Sequence, residues 1–302
     1  MSLTIRQIRY FIAAAETGKI SEAAAAVNVS PSSVTEAVKE LEVRFGTPLL
    51  LRQRNGVRLT YEGYRFLQHA KKILSAVADA SFALSKQETN FSGRLDLAAT
   101  ITVFGYFLPH LLSRFRKTFT NLDVRLYEHT RKVIEKKVDR GQIDLGVVLT
   151  SNITGSPTMD ALTLLRSQRR LWIKTDHDFA DHDVVTLAEI AEEPYIQLMI
   201  DEAANTTRNY WSSYGLKPRI IFNTESVEGA RSMIANGEGV TILSDMVYRP
   251  WSLEGERIET KAIREAVPTM DTGLIWNNTR PLSKPAQAFI DFCRMEYTSG
   301  QS

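Results

Sequence analysis

Ser21-Glu22-Ala23-Ala24-Ala25-Ala26-Val27-Asn28-Val29-Ser30-Pro31-Ser32-Ser33-Val34-Thr35-Glu36-Ala37-Val38-Lys39 is the stretch whose reading decides the fold. Ser21 is the expected N-cap of an alanine-rich helix anchored by Ala24 and Val27, and Asn28-Val29 make a turn. Ser30 caps the next helix, with Pro31 at the first helical position, where its missing N–H costs nothing. Val34, Val38 and Leu41 give that helix one buried stripe, Phe45 continues it, and Gly46 ends it. Two short helices, a tight turn and small residues at the crossing predict a helix-turn-helix. Its outward polar face of Ser32, Ser33, Thr35, Glu36 and Lys39 suits the major groove of DNA, where Glu36 would accept from cytosine N4.

Upstream, Ile5, Ile8, Phe11, Ile12 and Ala15 recur at helical spacing and Gly18 follows as a stop. Downstream, Leu49-Leu50-Leu51 and Val57-Arg58-Leu59 flank an Asn55-Gly56 turn, the pattern of a small hairpin, or wing. No acid stands between Glu42 and Glu62, whereas Arg44, Arg52, Arg54 and Arg58 do. Ser30, Pro31, Ser32, Ser33, Thr35, Glu36, Lys39, Arg52, Arg54 and Arg58 are therefore the candidate DNA contacts, the arginines on phosphate or minor groove. From Thr60 a long helix follows. Its residues Leu67, Ala70, Leu74, Val77, Ser81 and Leu84 repeat in steps of three and four, either a short coiled-coil seam or the inner face of a helix packed on its own domain.

Charge is divided unevenly. Up to Asn90 there are twelve Lys/Arg against eight Asp/Glu, and the remainder of the 302 residues is acidic by two. A basic front on a mildly acidic body fits one module that meets phosphate and another that does not. The single cysteine, Cys293, excludes an intrachain disulfide, a two-cysteine redox switch and any zinc site built on several thiolates. No secretory signal or membrane-spanning run is legible, so a cytoplasmic home and no membrane partner are expected. Phosphate-cradling loops, Gly-x-Ser-x-Gly elbows and His-Glu-x-x-His are missing, so no enzyme, cofactor or metal site is expected. His177-Asp178-Phe179-Ala180-Asp181-His182-Asp183 carries metal-ligand residue types but reads better as a polar turn.

After Gly93 the pattern alternates. Strands are expected at Leu95–Ala99, Asp123–Tyr127, Leu145–Leu149, Leu171–Lys174, Tyr195–Met199, Arg219–Phe222, Val240–Leu243 and Gly273–Trp276. Helices are expected at Phe104–Thr118, Arg131–Arg140, Asn205–Tyr214, Val227–Ala235 and Lys284–Tyr297. This alternation predicts an α/β domain with a mostly parallel sheet.

The segments Leu3–Phe11, Ser21–Ala24, Val29–Thr35, Leu41–Leu50 with Arg52, and Val57–Gly63 closely resemble the N-terminus of LysR-type transcriptional regulators. Glu36-Ala37 and Pro31-Ser32 depart from the family's usual residues there, so its base-reading side chains are not carried over to them. The resemblance implies a winged helix-turn-helix at residues 1–60, a linker and dimerisation helix with hinge at 61–92, and an effector-binding domain at 93–302. That last domain would be two-lobed and like periplasmic solute-binding proteins. Lobe one would take 93–161 and 269–302, lobe two 162–268, with crossings near Leu162–Arg166 and Ala266–Met270. Implied partners are double-stranded promoter DNA, a small-molecule effector, RNA polymerase and further copies of the chain, as a dimer of dimers.

Ligands of parallel sheets bind at the carboxyl ends of strands. That rule selects Thr100, Ile101, Thr102, Thr130, Thr150, Met199, Ile200, Asp201, Glu202 and Thr224 as candidate effector contacts. Hydroxyls there suit a carboxylate, although Ser and Thr are also ordinary helix caps. Asp201-Glu202 predicts an amine or several hydroxyls on the effector as well. The rival readings are a small-molecule-binding protein or enzyme with an incidental helical front, and a structural DNA binder without sequence preference.

Overall fold

The computed structural model describes residues 3–53, 56–83, 91–153 and 155–298. The chain divides into two compact units, Met1–Thr89 with Asp291–Ser302, and Asn90–Ile290.

The first unit opens with α1 (Ile5–Thr17), α2 (Ile20–Ala26) and α3 (Pro31–Phe45). Thr4 and Gln7 form a capping box at the start of α1, and Gly18 closes it in the left-handed region. α2 begins one residue before the expected cap: Lys19 is the N-cap, without a side-chain bond, and Ser21 lies inside the helix. Asn28 adopts φ 54°, a conformation its short side chain tolerates, and this sets the α2–α3 turn. Ser30 Oγ accepts from the Ser33 N–H at 3.2 Å, Pro31 occupies the first turn and Gly46 ends α3. Buried Ala23 and Ala24 share one core with Ile8, Phe11, Val34, Val38 and Leu41. Each large side chain there contributes about 1.5–3 kcal/mol on burial. Phe45 departs from the expected buried stripe: it is 43% exposed, with its ring 4.9 Å from that of Phe66.

β1 (Leu50–Gln53) and β2 (Gly56–Leu59) pair antiparallel, Leu50 opposite Leu59, and α4 (Tyr61–Ala83) follows. Glu42 Oε1 accepts from the N–H groups of Leu49 and Leu50 at 2.8 and 2.9 Å, so α3 itself holds the start of the hairpin. Gly63 allows α4 to meet that start, since a Cβ there would lie 1.9 Å from the Leu49 carbonyl oxygen. Leu67 and Ala70, the first two residues of the heptad-like series, are buried in this unit's own core, with Leu74 packed against it. Val77, the position after Leu74, is 39% exposed. Ser81's side chain, Leu84, Arg54, Asn55, Thr89 and Asn90 lie outside the described residues.

The second unit begins with β3 (Gly93–Ala99), α5 (Ile101–Tyr106), α6 (Leu108–Thr118), β4 (Leu122–Glu128), α7 (Arg131–Asp139) and β5 (Leu145–Leu149). The helix expected from Phe104 starts earlier and breaks at Phe107, where Pro109 restarts it as α6. Next come β6 (Met159–Ser167), β7 (Arg169–Lys174), β8 (Val184–Val185), α8 (Leu187–Glu192) and β9 (Pro194–Leu198). The chain continues through α9 (Ala203–Ser213), β10 (Arg219–Thr224), α10 (Val227–Ala235), β11 (Thr241–Ser244) and β12 (Ile258–Ile263). β13 (Met270–Asn277) follows, and α11 (Lys284–Thr298) starts in this unit and runs past its boundary at Ile290.

One sheet has the order β4-β3-β5-β13-β6. β3, β4 and β5 run parallel, whereas β13 pairs antiparallel with both β5 and β6. The second lobe holds β11-β7-β12-β8, largely antiparallel, and the parallel pair β10-β9, with a bridge from Tyr195 to Val240. The sheets are thus mixed rather than mostly parallel. One reason lies at the first crossing: Leu162–Arg166, expected as a connection, lies inside β6, which pairs antiparallel with β13 from Met270–Ser167 to Asn277–Met159. Gly273 is required in that ribbon, because a Cβ would stand 2.0 Å from the Leu162 carbonyl oxygen. Separate cores fill the lobes, one around Ala98, Ile134, Val148 and Ile275, the other around Leu171, Tyr195, Trp211 and Ile242.

Candidate functional site

On α3 the side chains divide by what already occupies them. Ser30 Oγ caps the helix and lies 2.8 Å from the hydroxyls of both Ser32 and Ser33. Thr35 Oγ1 donates back to the Pro31 carbonyl at 3.0 Å. Ser30, Pro31, Ser32, Glu36 and Lys39 are exposed, and Ser33 and Thr35 half-buried. Ser32, Glu36 and Lys39 therefore present the outward polar face, while Ser30, Ser33 and Thr35 serve the helix itself. Arg52 is exposed on β1 and Arg58 half-buried on β2. Arg54 lies outside the described residues.

The second candidate site is a cavity of about 310 Å³ between the lobes, lined by Thr100, Thr130, Arg131, Lys132, Leu149, Asn152, Asp201 and Glu202. That volume is at the low end for small-molecule pockets. Four of the ten residues expected from sequence line it: Thr100, Thr130, Asp201 and Glu202. Thr102 adjoins it, donating its backbone N–H to Asp201 Oδ2 at 2.9 Å. Ile101, Thr150, Met199, Ile200 and Thr224 are not among the lining residues. Thr150 Oγ1 sits 3.1 Å from Thr163 Oγ1, Thr224 Oγ1 accepts from the Ser226 N–H, and the Met199 N–H bonds the Thr224 carbonyl.

Thr100 stands out within the cavity. It precedes α5 without a side-chain cap bond, is 2% exposed, and its Oγ1 has no hydrogen-bond partner. A buried hydroxyl without a partner forfeits about 1–3 kcal/mol, so its presence beside a cavity marks a place where a polar ligand atom fits.

Asp201 and Glu202 reach across from the second lobe, and both are already engaged. Besides the Thr102 contact, the Asp201 carbonyl accepts from Asn152 Nδ2 at 3.1 Å. Glu202 takes a two-pronged contact from Arg131, Nε to Oε2 at 2.8 Å and Nη2 to Oε1 at 2.6 Å. The third arm of Arg131, Nη1, pairs with Glu135 one turn along α7. The Arg131 hydrogen bonds hold the Glu202 carboxyl below the usual carboxylate range, and Glu202 in turn raises Arg131. A further cross-lobe bond runs from Tyr106 Oη to Glu228 Oε1 at 2.7 Å. Burial, then this bond, pushes the Tyr106 phenol up to about 12. Glu228 also pairs with Arg231, whose guanidinium lies over Trp172 at 5.4 Å.

Sequence reasoning missed Arg131, Lys132 and Asn152. A signal existed for the first two: cations at the start of a helix oppose the macrodipole, so Arg131-Lys132 after Thr130 calls for a reason other than helix stability. The His177–Asp183 stretch folds as a short 3-10 turn whose His177 Nδ1 accepts from the Phe179 N–H. Gly237 follows α10 with φ 82°. Among the described residues no helix is long and apolar enough to cross a membrane, and no group of three or more His, Cys, Asp or Glu gathers as metal ligands.

A family model described as "Bacterial regulatory helix-turn-helix protein, lysR family" matches residues 5–64, and one described as "LysR substrate binding domain" matches residues 88–298. The chain is 25% identical over 294 residues to the HTH-type transcriptional regulator YvbU of Bacillus subtilis (strain 168), covering 97% of this chain and 98% of that one. It is 26% identical over 284 residues to the hydrogen peroxide-inducible genes activator of Escherichia coli O6:H1, covering 93% and 91%. The crystal structure of HinK, a LysR family regulator from Pseudomonas aeruginosa, superposes with a TM-score of 0.64 at 26% identity, over 98% of this chain and 99% of that one.

Proposed function

This chain belongs to the LysR family of bacterial transcriptional regulators, with a DNA-binding helix-turn-helix and an effector-binding domain, and we propose that α3 reads its operator while the cavity between the lobes takes the effector. The observation that carries the effector reading is the buried, unpartnered Thr100 hydroxyl facing that cavity. The working division is residues 1–60 for DNA, 61–92 as linker and 93–302 for the effector. Ser32, Glu36 and Lys39 meet base edges and phosphate, and Arg52, Arg54 and Arg58 anchor the hairpin on the backbone. The effector is a small carboxylate-bearing molecule, and its binding changes how the DNA-binding heads sit on promoter DNA and engage RNA polymerase. The protein acts in the cytoplasm by binding rather than by turnover.

Self-association as a dimer of dimers uses two surfaces. One is the outer end of α4, since its inner end is consumed by its own unit's core. The other is β10, an outer strand that exposes Ile220, Ile221 and Phe222. A thiol-based peroxide response is not favoured. Cys293 is the single cysteine, and burial pushes its thiol well above the usual range, leaving little reactive thiolate.

The test is a titration of the full-length protein against the DNA upstream of its own coding region and against a shuffled control, at several salt concentrations. Preference for the upstream fragment, with affinity falling as salt rises, is expected. Equal binding to both favours a structural binder, and no binding to either removes the operator-reading role of α3.

A further inference from the structure

Three residues of the first lobe at the cavity, Thr102, Arg131 and Asn152, donate to acceptors of the chain's own second lobe. Thr102 N–H goes to the Asp201 carboxylate, Arg131 Nε and Nη2 to the Glu202 carboxylate, and Asn152 Nδ2 to the Asp201 carbonyl. We propose that Asp201-Glu202 is an internal occupant of the effector site, which latches the lobes together and which a carboxylate ligand must displace. This deepens the cleft reading above and rests on it.

Three observations support it. The first is the donor set: two amide-type N–H groups and a guanidinium edge select an oxygen acceptor with negative charge, and two carboxylates with one backbone carbonyl of the chain already fill that role. The second is that Arg131 is held independently. Its Nη1 arm stays on Glu135 within α7, so the fork toward the cavity keeps its aim when Glu202 leaves. The third is backbone strain. Asp201 and Glu202 have φ of 47° and 66°, two consecutive non-glycine residues in the left-handed region, a conformation that persists only where surrounding contacts over-determine it. The cross-lobe bonds are those contacts, and losing them to a ligand also releases the strain.

The unpartnered Thr100 hydroxyl gives a displacing ligand a contact that the internal carboxylates do not make. A carboxylate that reaches the Thr100 hydroxyl as well as the donors of Arg131 and Thr102 thus outbids the latch, whereas one that leaves Thr100 unpaired merely exchanges one anion for another. A cationic ligand has no free donor to replace. It would instead have to use Asp201 and Glu202 as its own partners, which is the opposite arrangement and makes the opposite prediction.

The experiment compares the full-length wild type with D201N, E202Q and the D201N/E202Q double variant. Benzoate and benzylamine, one ring carrying opposite charges, are the probes, titrated calorimetrically. Benzoate should bind the double variant at least about tenfold more tightly than wild type, a gain of about 1.4 kcal/mol, and benzylamine should show no gain. Adding Thr100→Val to the double variant should weaken benzoate again. In D201N without any probe, hydrogen exchange in the peptide Ala99–Tyr106 should accelerate, because the Thr102 N–H has lost its charged acceptor. Equal benzoate affinity in all forms, with Thr100→Val weakening each, leaves the cleft reading standing and overturns the internal occupant. Benzylamine bound by wild type and lost in the variants overturns it too, making the acids ligand groups. Tighter benzoate that ignores Thr100→Val, or no binding of either probe by any form, sinks the cleft reading itself.

Discussion

Thr100→Val should make the protein more stable and its effector binding weaker. Thr100 lies in extended backbone, φ −77° and ψ 156°, which a β-branched residue adopts freely, and valine replaces the hydroxyl with a methyl of similar volume. In the free protein Oγ1 has no partner and the residue is 2% exposed, so removing the hydroxyl relieves a desolvation cost of about 1–3 kcal/mol. For a unit of this size about 1 kcal/mol raises the melting temperature by roughly 2–4 °C. With effector bound the sign reverses, because valine cannot return the hydrogen bond. About 0.5–1.5 kcal/mol of affinity is then lost, more if the ligand atom is charged. Scanning calorimetry of full-length wild type and variant, followed by titration with the effector once a screen has identified it, reads both effects. A variant less stable than wild type would refute the reasoning, since the hydroxyl must then have a partner in the free protein. Unchanged effector affinity would refute the second half and remove Thr100 from the site.

Further outcomes follow from other contacts. Lys39→Ala should weaken operator binding across sequences and reduce the salt slope by about 1, read from affinities at several salt concentrations. Glu42→Ala removes the acceptor for the Leu49 and Leu50 N–H groups, and should cost the first unit about 1.5–3 kcal/mol in denaturant unfolding while displacing the hairpin. The Glu202 carboxyl is depressed by Arg131, so its stabilisation is complete above the unfolded-state value of about 4.3 and lost as pH falls through the lower folded value. Wild type should therefore lose more stability below about pH 4 than Glu202→Gln does, measured by thermal unfolding across that range. Cys293→Ser should leave operator binding unresponsive to peroxide, as in the wild type, in a gel-shift assay with and without oxidant.

Local chemistry made the first unit readable in one dimension. Ser30, Pro31 and Gly46 act on their own neighbours, so α3 begins and ends where its residues say it must. The same holds for β5, whose five consecutive apolar residues are all buried. Misreadings arose where a decision depended on distant chain. Phe45 continues a helical stripe on paper, but the helix's neighbours leave it half out. Leu67 and Ala70 fit a dimer seam and a private core equally well by spacing, and only the position of α1 and α3 assigns them to the core.

The crossings show the same division. Leu162–Arg166 has no strong strand period, since its pairing is imposed by β13, more than a hundred residues later. At the site, sequence alone placed Thr100, Thr130, Asp201 and Glu202 at strand ends, because strand-end topology follows from local order. That Asp201 and Glu202 would close on Thr102 and Arg131 was decided by tertiary structure alone. A hydrogen bond between residues 71 or 99 positions apart leaves no periodic trace in either segment, and it exists only once two lobes face each other.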